Sequence, residues 1–269
     1  MTPRQLQLGV DQLVQLRDRS AARQPPIVDL PVCYRPTSLA HAYTLQAEVA
    51  AALAQGPAGP SVGWKIGCTT EVMQQYLHIR HPCAGRLYAA WLYRDHCDLH
   101  ASDYHSLGLE CEIAVQLSAA LPEASATYDA STVASAVSHV CASIEIVEHR
   151  FADFAKAETV SLVADDFFSA GCVHGALVPI DEVDNLTTLR GGFSLNAANP
   201  ELLGTGDAIL GHPLNALAWL ANHAIDNQSP LEAGQIITLG SVVKTIYPTV
   251  GTRVEARIEG LPAVSVNII

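Results

Sequence analysis

The strand-like segments of this chain do not alternate one-for-one with helices, and that restricts the architectures open to it. Short runs rich in branched and aromatic residues occur as VGWKIG, GRLYAAWLY, LGLECEIAVQLS, QIITLG, SVVKTIY, RVEARIEG and AVSVNII. Helical stretches interrupt them at residues 70–78, 129–141 and 211–226. A doubly wound parallel sheet needs a crossover helix between successive strands. The pattern therefore predicts an α+β protein around a curved, mixed sheet. Val254, Ala256 and Ile258 alternate with polar residues, as do Val264, Val266 and Ile268, and the GLP between them predicts a closing hairpin.

The N-terminal part reads differently. Leu6, Val10, Leu13 and Leu16 predict a helix over 4–22, and Pro25 to Pro36 is an extended, proline-rich stretch. A second helix is expected over 37–54, with Ser38 as its cap and Leu39, Ala42, Tyr43, Leu45, Gln46 and Val49 following. The two helices predict a small cap over residues 1–60 on a body of 61–269.

Charge narrows the partners. The net charge is −12, Lys65, Lys156 and Lys244 are the only lysines, and no basic run occurs. Nucleic acid and anionic membrane both require a basic footprint, so neither is expected as a partner. The seven cysteines form no CxxC pair, and no apolar run reaches membrane-spanning length. A soluble, cytoplasmic protein with reduced thiols is expected. Only 16% of residues are charged, which points to surface buried between the copies of a homo-oligomer.

The segment LECEIAVQLS is the most informative chemically. Strand side chains alternate, so Leu109, Cys111, Ile113, Val115 and Leu117 share one face and Glu110, Glu112, Ala114, Gln116 and Ser118 the other. Two carboxylates side by side repel unless water or a cation absorbs the charge. The pattern alone equally suits the solvated face of an amphipathic strand. Glu145 lies between Ile144 and Ile146, with Glu148 and His149 close behind, and could also close such a strand. Lys65 is flanked by Trp64 and Ile66. A lysine in that company normally snorkels to the surface; buried, it needs a charged partner and becomes a functional candidate.

KIGCTTEVMQ, the ECE pair, IEIVEHR, VADD followed by SAG, GTGDAILGHPLNALAWLAN and LEAGQIITLGS resemble, in this order, the signature blocks of the 2-keto-4-pentenoate hydratases. That family belongs to the fumarylacetoacetate hydrolase superfamily. The leader IVDLPVCYRPTSLAHAYTLQ is similar too, so the likeness runs over nearly the whole chain. It implies a β-sheet roll like the superfamily's C-terminal domain, with a small N-terminal helical cap. It also implies Mg²⁺ or Mn²⁺ held by Glu110, Glu112 and Glu145. Three hard oxygen donors suit such an ion, whereas zinc ordinarily favours histidine or cysteine.

The implied substrates are small 2-oxo or 2-hydroxydienoic acids from aromatic catabolism. The implied reaction adds water to a 2-hydroxy-2,4-dienoate, giving a 4-hydroxy-2-oxo acid. Lys65 and Asp166 match catalytic positions, and Gly67, Phe168, Ser169 and Ser241 match substrate contacts. A structural ion pair is the alternative for Lys65. Three other activities stay open: a 2-oxo-enedioate decarboxylase, an acylpyruvate hydrolase, and a non-catalytic oxo-acid-binding paralogue. A partner catabolic lyase is a candidate associate.

Three departures from the family pattern bear on water handling. Ala89 and Ala90 stand where one or two aspartates are general, Asp166 and Phe168 replace an asparagine and a serine, and Val243 replaces a common threonine. An aspartate at 166 would repel a substrate carboxylate unless protonated or paired. His78 and His81 offer an acid or base on a lid-like segment. GTGDAILGHP lacks the dinucleotide-binding spacing and reads as helix entry, with Gly204 and Gly206 in a turn, Asp207 as a local cap and His212 structural.

Overall fold

A computed structural model describes the chain apart from residues 20–24, 78, 124–125 and 199–200. In chain order the elements are α1 (Pro3–Leu16), α2 (Leu39–Ala54), β1 (Ser61–Gly67), α3 (Glu71–Tyr76), β2 (Cys83–Tyr88), β3 (Leu92–Arg94), β4 (His96–Leu99) and β5 (Leu107–Leu117). They continue as α4 (Ala130–Ala134), β6 (Val137–Glu148), α5 (Thr159–Ala164), β7 (Ser169–His174), β8 (Val178–Pro179), β9 (Arg190–Leu195) and β10 (Glu201–Thr205). The last four are α6 (Pro213–Asp226), β11 (Ile236–Ser241), β12 (Arg253–Ile258) and β13 (Val264–Ile268).

The strands form two mixed sheets. The larger runs β2-β1-β11-β5-β6-β7-β3, with β8 on β6; the smaller runs β10-β9-β12-β13-β4. In the larger sheet β1 pairs parallel with β11 and β3 with β7, while its other pairs are antiparallel. Leu109, Cys111 and Ile113 share a face with their partners Ile146, Ile144 and Ala142, and all six are fully buried. That face packs on the smaller sheet, where the Cys111 thiol approaches the Gly192 and Arg257 carbonyls. The opposite face is left free for polar chemistry.

The N-terminal helices join the same core. Val10, Leu13 and Leu16 of α1 and Leu45 and Val49 of α2 belong to one hydrophobic cluster with Trp64, Ile66 and Leu109. Thr2 and Gln5 form a capping box at α1, and Ser38 caps α2 as expected. The buried Gln46 amide donates to the carbonyls of Ala84 (2.9 Å) and Val163 (2.7 Å), tying α2 to β2 and α5.

Two sequence expectations are corrected. Residues 129–141 were expected as one helix, but only Ala130–Ala134 is helical, and Val137 begins a twelve-residue strand. The capping box of Asp129 and Thr132 starts the helix, while β-branched residues pairing with β5 pull the rest into the sheet. SVVKTIY was expected as a strand, yet only Ser241 lies in β11. Val242 N donates to Cys111 O and Ile246 exchanges two hydrogen bonds with Leu109, so residues 243–245 bulge opposite Glu110 alone.

The terminal hairpin is as expected, with Val254 opposite Val266. Gly204 and Gly206 matter for contact rather than for turning: a Cβ on them would lie 1.6 Å from Val242 O and 2.0 Å from Leu186 O. All seven cysteines are free. Among the described residues no helix is long and apolar enough to cross a membrane.

Candidate metal centre and active site

Strand register builds the centre. Antiparallel pairing of β5 with β6 sets Glu110 directly opposite Glu145, and Glu112 follows two residues along on the same face. One carboxylate oxygen from each of the three lies within 4.8 Å of the other two. Glu112 and Glu145 are fully buried, and Glu110 is half-buried. Lys65 reaches the same face from β1, in register with Thr238 of β11, which is itself in register with Ala114 of β5. Its Nζ sits 3.1 Å from Glu145 Oε1.

The carboxylates are under-satisfied. Gly240 N donates to Glu112 Oε2 at 3.0 Å, and the Thr245 hydroxyl donates to Glu110 Oε1. Glu112 Oε1 and both oxygens of Glu145 are buried without a hydrogen-bond partner among the described residues. Lys65 gives one of the Glu145 oxygens an ion pair at 3.1 Å. Buried carboxylate oxygens left this way are costly unless a cation or a proton settles them.

The electrostatics agree. Burial pushes the Glu112 carboxyl well above its usual range, and the Glu145 and Glu110 charges push it further. Burial also raises Glu145, to about 7, with Glu110 adding and Lys65 opposing. For Lys65, burial would weaken the ammonium, but Glu145 and Glu110 outweigh it and hold it protonated. An octahedral ion with oxygen ligands at about 2.1 Å spans roughly 4.2 Å between opposite donors, so a cluster of this width closes on one with small side-chain shifts. The residues fit a hard divalent cation.

A pH dependence follows for the metal-free protein. An ordinary glutamate titrates near 4.5 and folded Glu145 near 7, so between these values the folded state holds a proton that the unfolded state has released. The stability contribution is complete below the lower value and is lost as pH rises through the upper, by about 3 kcal/mol. Saturating Mg²⁺ removes or reverses the decline, because bound ligands are deprotonated. Urea midpoints at both ends of this window check it; metal-free stability that climbs across the window contradicts it.

Residues 166–168 run over one side of the cluster. Asp166, Phe167 and Phe168 have φ of 51°, 47° and 70°, three consecutive left-handed residues without a glycine. The surrounding contacts hold them there. Asp166 takes Arg17 Nη1 (2.8 Å) and the Tyr88 hydroxyl (2.8 Å) on Oδ2, and Arg86 N (3.1 Å) on Oδ1. Asp165 binds Arg17 and Arg150, and Arg150 also binds Glu148 and the Ser169 carbonyl. Glycine permits the close approach beneath: a Cβ on Gly67 would strike the Phe167 ring at 2.7 Å, and one on Gly85 the Asp166 carbonyl at 2.4 Å. Phe167 in turn lies 5.0 Å from Lys65 Nζ.

The structure therefore brings Lys65, Gly67, Glu110, Glu112 and Glu145 together. Asp166 is buried with both oxygens engaged, so the pairing its charge required is present. The Ser169 hydroxyl donates to Arg86 O at 2.9 Å, and the Ser241 hydroxyl to Cys111 O at 3.1 Å. Ala89 and Ala90 are exposed on a turn whose amides bond to Pro60 and Ala58 carbonyls. His81 binds its neighbour Pro82's carbonyl, His78 lies outside the described residues, and His212 caps α6. Asp207 accepts from Thr205 in the local turn. Sequence reasoning missed Thr238, Gly240, Thr245 and Tyr247. Thr238 and Gly240 lie in the LEAGQIITLGS block, but their places beside the carboxylates appear only in the β11 register, and those of Thr245 and Tyr247 only in the bulge and the residues after it.

A mixed two-sheet fold thus presents a cluster of three carboxylates and one paired lysine, a donor set suited to a hard divalent cation. No protein-family model matches the chain. It is 31% identical over 208 residues to a 2-keto-4-pentenoate hydratase of Paraburkholderia phymatum, covering 76% of each. It superposes on 4-oxalocrotonate decarboxylase from Pseudomonas putida G7, complexed with magnesium and adipate, with TM-score 0.90 and 25% identity over 100% of this chain and 99% of that one. A fumarylacetoacetate hydrolase family protein from Yersinia pestis shares the fold at TM-score 0.59 and 14% identity, over 77% of this chain and 92% of that one. The chain belongs to the 2-keto-4-pentenoate hydratase family.

Proposed function

We propose that this chain is a divalent-metal lyase that adds water to a 2-hydroxy-2,4-dienoate and releases a 4-hydroxy-2-oxo acid. The observation that carries the reading is the convergence of half-buried Glu110 with buried Glu112 and Glu145, one oxygen of each within 4.8 Å of the others, with Lys65 as the nearest counter-charge. These residues would hold Mg²⁺ or Mn²⁺. When bound, such an ion polarises the C2 oxygen of an α-oxo carboxylate and stabilises enolate charge.

Lys65, kept protonated by its carboxylate neighbours, donates to the developing enolate or returns a proton to carbon. Asp166 has no free oxygen, so we assign it to holding Phe167 and Phe168 in place rather than to proton transfer. Gly67 admits Phe167 beside the lysine, and Phe168 meets the substrate with its ring. Ser169 and Ser241 shape the site through the backbone they bind.

Decarboxylation of a 2-oxo-enedioate is the second reading. It needs no activated water, which suits the missing acid at 89 and 90, and the full-length structural likeness is to a decarboxylase. The test supplies Mg²⁺ and follows loss of dienol absorbance with a hydroxy-oxo acid as product, against CO₂ release from an oxo-diacid. Turnover of neither substrate overturns both readings. Lys65→Met is expected to lower kcat by ~10²–10³-fold while Mg²⁺-dependent thermal stabilisation persists. A loss under about threefold returns Lys65 to a structural ion pair.

The same proposal takes the larger sheet as a curved roll capped by residues 1–60 over a body of 61–269. Strand order supports the roll. β2 and β3 lie at opposite ends of the order but only residues 89–91 join them. Six flat strand spacings would separate those edges by roughly 29 Å, and three residues bridge at most about 14 Å. Arg17 and Gln46 reaching into the body support the cap. Exposed Val28, Val32, Val72, Leu203 and Val250 support a homo-oligomer. A cytoplasmic enzyme acting on a small oxo acid, with a partner catabolic lyase, completes the proposal.

A further inference from the structure

A substrate gripped by its carboxylate end at the cluster must extend its chain past the cluster's rim. Two opposite parts of that rim are joined by aromatic rings. Phe167 stands beside Lys65 and lies 5.0 Å from Phe168, centroid to centroid. Phe168 is 5.3 Å from the His149 ring and 5.4 Å from Phe154. His149 is 5.6 Å from Tyr247 and accepts or donates a hydrogen bond with its hydroxyl at 3.3 Å. Tyr247 returns towards the cluster: it lies two residues beyond Thr245, which holds Glu110, and its ring stands 3.1 Å from where a Cβ on Gly108, two residues before Glu110, would be. The arc therefore starts at the lysine and ends at the outermost ligand.

Among the described residues, none of the five side chains of this arc carries a fixed positive charge; the exposed Lys244 and Lys156 are not part of it. Burial and the neighbouring Arg150 hold the His149 imidazole in its neutral form. Lys65 is committed to Glu145, and Arg150 to Glu148 and Asp165. A second carboxylate at the far end of a substrate would lose water against ring faces that offer it no counter-charge. An uncharged aryl or alkyl group there would instead meet ring edges and faces. Phe168 and Tyr247 are partly exposed, so their surfaces are open to such a group.

We propose that the arc of Phe167, Phe168, His149, Phe154 and Tyr247 selects oxo or hydroxydienoic acids whose distal end is an uncharged aromatic or apolar group, against diacids. The inference rests on the metal–oxo-acid reading above and adds the class of tail.

The experiment measures calorimetric binding to the Mg²⁺-loaded protein of pyruvate, 2-oxoadipate and 2-oxo-4-phenylbutanoate. The phenyl acid is expected to bind at least ~10-fold tighter than the diacid. Phe168→Gly, which suits the left-handed backbone at 168, and Tyr247→Ser are each expected to cut the ratio of phenyl-acid to pyruvate affinity by ~10-fold. Pyruvate binding with the diacid equal to or tighter than the phenyl acid overturns the inference and leaves the metal–oxo-acid reading standing. An unchanged ratio in both variants likewise overturns it. Absence of Mg²⁺-dependent binding for all three acids, pyruvate included, overturns the underlying reading and this inference with it.

Discussion

Glu112→Gln and Glu145→Gln are each expected to abolish the response to Mg²⁺ while the protein stays folded without it. A ligand at a hundred times its dissociation constant stabilises a folded protein by about 2.7 kcal/mol, and each variant should lose that increment. Turnover should fall by at least ~10³-fold, since the charge developing on the substrate would lose its main stabiliser. Metal-free Glu112→Gln should move the other way. Each wild-type carboxylate is fully buried beside two others. In Glu112→Gln the isosteric amide removes a charge that burial and its neighbours penalise, so metal-free stability rises, most at alkaline pH where the carboxylates ionise; Glu145→Gln also strips the buried Lys65 of its nearest counter-charge and shows no such gain. Thermal melts with and without Mg²⁺ check both halves. A wild-type-sized Mg²⁺ shift in both variants contradicts the site.

The second large effect lies beneath the strained segment. Arg150 is 1% exposed and binds Glu148 at 2.8 Å, Asp165 at 2.7 Å and the Ser169 carbonyl at 2.9 Å. Arg150→Met would leave Asp165 and Glu148 short of a buried counter-charge. Breaking a buried pair from one side costs ~3–5 kcal/mol, far more than the pair itself contributes. Urea unfolding should show this loss, and Arg150→Met combined with Asp165→Asn should recover part of it. The surface pair Lys156–Asp153, broken by Lys156→Ala, should change nothing measurable. Equal midpoints for Arg150→Met and wild type would show that the network does not hold residues 166–168.

The sequence made half of the centre legible for a simple reason. Glu110 and Glu112 are two apart on a strand, and a period of two puts them on one face in any register. That Glu145 stands opposite Glu110 depends on how β5 and β6 align over eleven paired positions, which residue spacing does not encode. Likeness to a family, not pattern, pointed to it. The partner of Asp166 was further out of reach. Its charge demanded a counter-ion, but Arg17 sits 149 positions away at the C-terminal cap of α1, within the predicted cap.

Local propensity misled where tertiary pairing won. Val137 to Cys141 extend a helical-looking stretch, yet their backbone completes the ladder with β5. The branched residues of SVVKTIY suggested a strand, and the chain instead bulges to bring Thr245 onto Glu110. The second misreading falls at the centre's edge, where the fold departs from regular geometry to position a polar group.

Crystals grown with Mn²⁺ and read by anomalous scattering put the whole proposal at risk in one observation. The expected result is a single strong peak with an oxygen of Glu110, of Glu112 and of Glu145 at about 2.1–2.2 Å. A map with no peak there, or with manganese bound only at other carboxylates, would leave the chain its fold and its family but take away its chemistry.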